Sequence, residues 1–234
     1  MYPTEYFYAY NFNRQGQLIS SFETRKDDGT ADTTWNEYIY DMDGSLIEHK
    51  QGNSTSKSST VYHLDDKKRV ISEEYLTETI DSTGKKAVIL MNSEAMSYED
   101  FGLQHKKTVM NSYGLPYKTE LSFYDENGYL LEQEERFSRT SNFNKTLYSY
   151  NEKGLLSSIA VYQKGHSTPV EENKFKYDQY GNITEKHWYK GGVFTTDTQI
   201  VYNEQTKLMT AVIIRDVSTN FLMVIRFGDY EYFD

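Results

Sequence analysis

Histidines, carboxylates and serines, which often perform chemistry, are present in this chain, but their spacing does not assemble a reaction. Five histidines, His49, His63, His105, His166 and His187, stand without the i, i+4 partner that sets two imidazoles on one metal. There is no cysteine to supply a thiolate, a metal ligand or a disulfide, so no cofactor and no metal are expected. Carboxylates are plentiful, but neighbours such as Glu73 with Glu74 and Glu134 with Glu135 point to opposite faces of a strand, and neither pair can serve as the acid and base of a glycosidase. Asp41, Asp43 and Glu48 in "DMDGSLIE" offer oxygens in the manner of a calcium loop, yet a hairpin turn accounts for the same residues. No GxSxG, Walker or GxGxxG segment occurs, and the chain is expected not to be an enzyme.

What remains is stacking chemistry. The chain holds 22 tyrosines, 12 phenylalanines and two tryptophans, and a flat aromatic surface can take a sugar ring or a peptide. By simple alternation along a strand, Trp35 faces away from Tyr38 and Tyr40, and Trp188 faces away from Ile183, His187 and Tyr189. Trp35, Trp188 and Tyr189 are therefore the candidate ligand-binding residues. Packing on the second face of a rolled sheet is the competing role for both indoles.

The elements that position these side chains come from a repeat. "IYDMDGSL" at 39–46, "FYDENGYL" at 123–130, "SYNEKGLL" at 149–156 and "KYDQYGNI" at 176–183 share one register: an aromatic, Asp or Asn, two variable residues, Gly, one variable residue and an aliphatic. That register places anchors at Phe12, Tyr40, Leu64, Tyr98, Tyr124, Tyr150, Tyr177 and Tyr202, at intervals of about 26 residues. The glycine falls at Gly16, Gly44, Gly102, Gly128, Gly154 and Gly181, with Lys68 and Thr206 in its place in two copies, whose turns are expected to be strained or differently shaped. The aliphatic follows at Leu18, Leu46, Val70, Leu130, Leu156, Ile183 and Leu208, with Gln104 the exception. Asp or Asn at the first turn position accepts from backbone N–H groups two or three residues on, and glycine takes the positive φ that closes a type I turn with a bulge. Each copy therefore reads as a hairpin closed by an aromatic on one arm and an aliphatic on the other.

The turns at the opposite ends, among them "NSYGLP" at 111–116, read as loops with no shared register. The expected fold is all-β: one repeat domain over 1–234, an antiparallel up-and-down meander of about 16 strands from about eight hairpins, as a curled single sheet or a wide barrel-like form. Repeat turns are expected near 12–18, 40–46, 64–70, 98–104, 124–130, 150–156, 177–183 and 202–208. "NSEAMSYED" at 92–100 is the nearest approach to a helix, and its register places it in a strand.

Thirty-five acidic against 25 basic residues give a formal net charge of -10, which repels a phosphate backbone, and no nucleic-acid partner is expected. No stretch reaches the 18 apolar residues of a membrane-spanning helix. "MYPTEYFYAY" lacks the basic and apolar regions of a signal peptide, so an exported form is expected to carry its leader outside this sequence.

The aromatic, Asp, Gly, Leu register resembles the YD repeats of the Rhs and wall-associated protein families, in which long arrays of such hairpins coil into a shell. The likeness runs along nearly the whole chain and rests on eight copies in near-constant register. Those families use many more copies to enclose a cargo, and no toxin or protease segment is expected here. The resemblance implies an antiparallel sheet and an extracellular or cell-surface setting in a bacterium, with the cytoplasm as the other setting. The function expected from it is a non-enzymatic structural or binding module with an unknown protein or glycan partner. Two alternatives stand beside it: a carbohydrate-binding protein using exposed aromatics, and an immunity-type protein whose acidic surface caps a basic toxin.

Overall fold

A computed structural model describes residues 5–27, 30–80, 84–140, 142–228 and 230–232, and these contain strands, turns and irregular segments but no helix. The alternation of bulky and polar residues is carried into 17 antiparallel strands of one meander sheet. The chain divides into two compact units, Met1–Ser97 with Val109–Pro116, and Tyr98–Thr108 with Tyr117–Asp234.

In the first unit β1 (Glu5–Phe12), β2 (Leu18–Asp27), β3 (Thr30–Tyr40), β4 (Leu46–Gly52), β5 (Lys57–Leu64), β6 (Val70–Ile80) and the first part of β7 (Lys86–Phe101) pair each with the next in sequence. The short β8 (Gln104–Met110) follows. In the second unit the same rule joins β9 (Pro116–Tyr124), β10 (Leu130–Phe137), β11 (Phe143–Tyr150), β12 (Leu156–Gln163), β13 (Glu171–Tyr177), β14 (Ile183–Lys190), β15 (Val193–Tyr202), β16 (Met209–Asp216) and β17 (Leu222–Arg226). Described registers of β1 go to β2 and those of β17 to β16; nothing closes one onto the other, so the sheet is open and the barrel alternative is set aside.

The turn chemistry is uniform where the repeat is intact. Asp125 Oδ1 accepts from the N–H groups of Asn127 at 2.9 Å and Tyr129 at 2.8 Å, while Asp125 N donates to Tyr129 O at 2.9 Å. The side chain thus reaches two and four residues on, because the closing bulge adds a residue beyond a plain type I turn. Asn13, Asp41, Asp65, Asn151 and Asp178 make the same pair of bonds. Lys68, in the glycine position, is held at φ 63°, a conformation that costs a side chain about 1–2 kcal/mol.

Two copies depart from the predicted register. β7 continues through Tyr98 to Phe101, and Gly102 with Leu103 makes a two-residue link, so Tyr98 is no anchor. The reason is local: Glu99 replaces the turn-forming Asp or Asn, and Asp100 binds His105 Nδ1 across the hairpin at 2.7 Å. In compensation, the segment at 111–116 forms a full repeat-type turn. Asn111 Oδ1 accepts from Tyr113 N at 3.0 Å and Leu115 N at 3.1 Å, and Gly114 sits at φ 73°. In the eighth copy the loop is one residue longer: Lys207, not Thr206, takes positive φ, and Tyr202 pairs with Met209 rather than Leu208.

Hairpins are tied to each other at their turn ends by two contacts that pattern alone does not reveal. The anchor hydroxyl donates to the carbonyl of the residue that opens the second arm of the preceding hairpin: Tyr40 to Leu18 at 2.9 Å, Tyr150 to Leu130 at 2.9 Å, Tyr177 to Leu156 at 2.7 Å and Tyr202 to Ile183 at 3.0 Å. Tyr230 repeats this bond with Met209 and so acts as a further anchor, with β17 as its arm. The second contact comes from the residue after the turn glycine, which lies across the next copy's glycine: Gln17 against Gly44, Tyr129 against Gly154 and Leu155 against Gly181. Little else is enclosed, since among the described residues the buried hydrophobics are Met96, Val109 and Ala160.

These contacts separate two glycines that look identical in sequence. A Cβ at Gly128 meets nothing, whereas at Gly154 it would overlap the Tyr129 hydroxyl; both residues have positive φ. Gly128→Ala is expected to cost about 1–2 kcal/mol in urea unfolding from the backbone alone, and Gly154→Ala measurably more. In a Tyr129→Ala background the two should converge; equal costs in the native background would show that the Tyr129 contact is not made.

Candidate binding surface

The three sequence candidates do not form one site. Trp35 lies in β3 and Trp188 and Tyr189 in β14, in different units. Trp35 pairs with Gly52 and lays its indole over it, so that a Cβ at Gly52 would come within 2.8 Å of Trp35 Cζ2 and 2.7 Å of the Ser56 carbonyl. Lys57 Nζ stands 5.9 Å from the ring centroid. The indole is half-buried in a fitted seat beside a turn.

Trp188 corrects the sequence reading. It faces Asn173 on β13 and Thr196 on β15, the rows that carry Phe175 with Tyr177 and Ile200 with Tyr202. Trp188 therefore shares the face of the repeat tyrosines. Simple alternation failed because the bulge between Lys176 and Tyr177 inserts one residue after Ile183 and inverts the parity of the rest of β14. Trp35 precedes its own turn's bulge, and its assignment to the face opposite Tyr38 and Tyr40 stands.

Tyr189 belongs to a cluster on the other face of β13–β16. Its ring lies 5.2 Å from that of Phe194 at an interplanar angle of 30°, His187 meets Phe194 edge-on at 5.1 Å, and Lys174 Nζ sits 4.8 Å from the Tyr189 centroid. A chain of ion pairs borders these rings. Lys176 holds Glu185 at 2.7 Å, Glu185 reaches His187 Nε2 at 3.1 Å, His187 reaches Asp197 at 3.4 Å, and Arg215 closes on Asp197 at 3.1 Å. The Lys176 ammonium beside Glu185 holds that carboxyl below its ordinary range. Asp197 is the one buried charged side chain among the described residues, and its pairing with Arg215 and His187 offsets its desolvation. Phe194, Asp197 and Arg215 escaped the sequence reading because they stand on β15 and β16, which only the strand pairing aligns with β14. Chemically the cluster is a stacking surface edged by fixed charges of both signs.

The calcium-like segment is engaged otherwise. Asp41 Oδ1 serves the turn through Asp43 N and Ser45 N, and Lys68 Nζ reaches Asp41 Oδ2 at 3.4 Å and Asp43 Oδ2 at 2.5 Å. Turn carboxylates are shifted by their donors. The Tyr129 N–H, with Asn127, holds Asp125 below the usual carboxylate range, and Ser45 N–H does so for Asp41. In the 216–220 turn the Ser218 hydroxyl, with the Thr219 N–H and hydroxyl, brings Asp216 down to about 2.

No protein-family model matches this chain, and no curated protein does. Among solved structures, it is similar to a chain of the TcdB2-TccC3-Cdc42 complex, at 12% identity and TM-score 0.39, over 92% of this chain and 12% of that one. A chain of a Photorhabdus luminescens Tc holotoxin pore is similar at 13% identity and TM-score 0.37, over 94% of this chain and 14% of that one. A porin-like protein from Bacteroides uniformis is similar at 9% identity and TM-score 0.48, over 93% of this chain and 90% of that one. The chain thus spans a small fraction of the length of the toxin chains and most of the porin-like one. No described helix is long and apolar enough to cross a membrane.

Two measurements follow. Because Asp125 and Asp216 have lowered folded values, the stability they contribute is complete above the ordinary carboxylate range near pH 4 and is lost as pH falls through the folded value, about 2 for Asp216. Asp125→Asn copies the turn already made by Asn151 and should flatten the acid limb of a denaturant-midpoint profile while leaving the neutral midpoint unchanged; an unaltered limb would refute the assignment. Gly52→Ala in a Trp188→Phe background should red-shift the Trp35 emission, since the indole must leave its seat.

Proposed function

We propose that this chain is a non-enzymatic repeat scaffold of the bacterial cell surface, related to the YD-repeat proteins it resembles, that binds a protein or glycan partner across its sheet. The observation that carries the reading is the series of tyrosine hydroxyl bonds by which Tyr40, Tyr150, Tyr177 and Tyr202 tie their hairpins to the one before. The repeat's characteristic side chains, the Asp or Asn, the glycine and the tyrosine, act on the chain's own backbone. They hold hairpins in a row without an enclosed core, leaving both sheet faces half-exposed as area for recognition rather than a reactive cleft. A repeat array of this kind gains surface with each copy, which suits adhesion and display.

The second reading, a carbohydrate-binding surface, is favoured by the Tyr189 and Phe194 rings with Lys174 above them. Aromatic faces take the apolar face of a sugar, and the flanking Glu172, Lys174 and Glu185 supply hydrogen-bonding groups for its hydroxyls.

The experiment is a binding screen of the purified chain against glycans, wall polymers and surface proteins, run with Tyr189→Ala and Phe194→Ala, alongside protease treatment of intact cells. Saturable glycan binding lost in both variants supports the second reading. Capture of a defined surface protein that survives both substitutions supports the scaffold. A chain untouched by protease on intact cells and cut only after lysis overturns the surface placement.

A further inference from the structure

The turn joining β10 to β11 lies at the end of the hairpins away from the repeat turns, where residues follow no shared register and are free to serve a ligand. Tyr117 stands at the start of β9, Phe137 ends β10, Asn144 follows the first residue of β11 and Gln163 ends β12. Pairing sets Asn144 opposite both Glu135 and Gln163, so Phe137, two residues beyond Glu135, shares one face with both carboxamides. With Arg139 and Asn142 from the turn, these side chains line an open hollow of about 470 Å³, within the size range of small-ligand sites.

The backbone around the hollow is already bonded within the protein. Ser138 N donates to Tyr117 O at 2.9 Å, Thr140 N to Phe137 O at 3.3 Å and Lys164 N to Phe143 O at 3.3 Å. An extended peptide is held mainly by free main-chain groups of a strand edge, and these three N–H groups have their acceptors. Recognition therefore falls to side chains, and their chemistry suits a sugar. The Tyr117 and Phe137 rings offer surface to the apolar face of a pyranose. The carboxamides of Asn142, Asn144 and Gln163 can both donate and accept, as vicinal hydroxyls do. Asn144 Nδ2 donates to Glu135 Oε2 at 3.4 Å, and its oxygen remains to accept. Two groups stand ready for a ligand: among the described residues the Gln163 carboxamide and the Arg139 guanidinium make no hydrogen bond and no ion pair.

Arg139 also sets the charge of the occupant. It is the one charged side chain of this lining, in a chain of formal net charge -10, and a guanidinium takes a carboxylate through two parallel bonds. Glu135 is outside the lining and is held by Asn144 and by Lys118 Nζ at 3.7 Å. The geometry points to a binding site for an acidic saccharide, a pyranose ring carrying a carboxylate. The ring rests on Tyr117 and Phe137, its acid meets Arg139, and its hydroxyls meet Asn142, Asn144 and Gln163. This site goes beyond the binding proposed above, because it uses neither Tyr189 nor Phe194 and stands whichever partner that surface takes.

The test is an NMR titration of the intact, isotope-labelled chain with trigalacturonate and with sialyllactose, each beside its methyl ester, which keeps the sugar and removes the charge. The side-chain amide signals of Asn142, Asn144 and Gln163 should shift saturably with at least one acid, and its ester should bind about tenfold more weakly. Arg139→Gln removes an exposed side chain that no other residue holds, so the fold is kept and the acid should fall to the affinity of its ester. Gln163→Ala should weaken acid and ester together. The inference is overturned if neither acid moves these signals up to millimolar concentration, or if Arg139→Gln binds the acid as tightly as the native chain does. A trialanine peptide that moves the same signals at equal affinity overturns the saccharide assignment. Saturable shifts at the Lys174 and Tyr189 backbone amides instead would put the acid on the other surface, which overturns this site and leaves the reading above in force.

Discussion

The hydrogen bond from an anchor tyrosine to the carbonyl one hairpin back is the interaction on which the rest of this structure depends. A hairpin alone is marginal in water, and the usual remedy is a hydrophobic core. Among the described residues few apolar side chains are buried, so cohesion has to come from contacts between neighbouring hairpins. The hydroxyl is suited to that task because the ring covers the apolar turn end while its oxygen reaches a carbonyl at the start of an arm. Burial pushes the Tyr150 and Tyr202 hydroxyls above their ordinary range. Each such bond is worth about 1 kcal/mol net, and a row of them sums to the stability of a nearest-neighbour array rather than of a globule.

The polar character of both faces follows from the same economy of burial. Where side chains stay half-solvated, charged residues can occupy successive rows provided that they pair across strands. Lys145 with Glu132 at 2.6 Å, Lys176 with Glu185 at 2.7 Å and Lys86 with Glu78 at 2.9 Å are such pairs. Exposed ion pairs add little stability. Their contribution is specificity of register: a slip by one residue would carry every partner to the opposite face.

Much of this architecture was legible in the residues. The Asp or Asn, glycine and aliphatic register placed seven hairpin ends to within a residue or so, because turn chemistry is local and each turn closes on its own backbone. Readings failed where the decisive contact lay outside the local window. Tyr98 matched the template, but a glutamate at the turn-forming position could not close the turn, and the strand ran on to Phe101. Trp188 was assigned to the wrong face because a bulge after Ile183 changes parity without leaving a mark in composition. Tyr230 is followed by Glu231 where the template has Asp or Asn and by Asp234 where it has Gly, so only its bond to Met209 reveals it as an anchor. The Tyr189, Phe194, Asp197 and Arg215 cluster required strand registers to be known before its members could be seen as neighbours.

The third hairpin shows how strictly the tie between copies is required. Its anchor is Leu64, which has no hydroxyl to give to the second hairpin. The same copy lacks the turn glycine and carries Lys68 instead, at a positive φ that costs energy. That cost becomes intelligible through the lysine's ammonium, which reaches back to Asp41 and Asp43 in the preceding turn, the direction taken by the tyrosine bond elsewhere. One departure from the pattern thus replaces what the other removes. The replacement is an exposed ion pair, screened by salt in a way that a half-buried hydroxyl bond is not. The described residues therefore include two kinds of tie with different responses to ionic strength, the salt-sensitive one lying between the second and third hairpins.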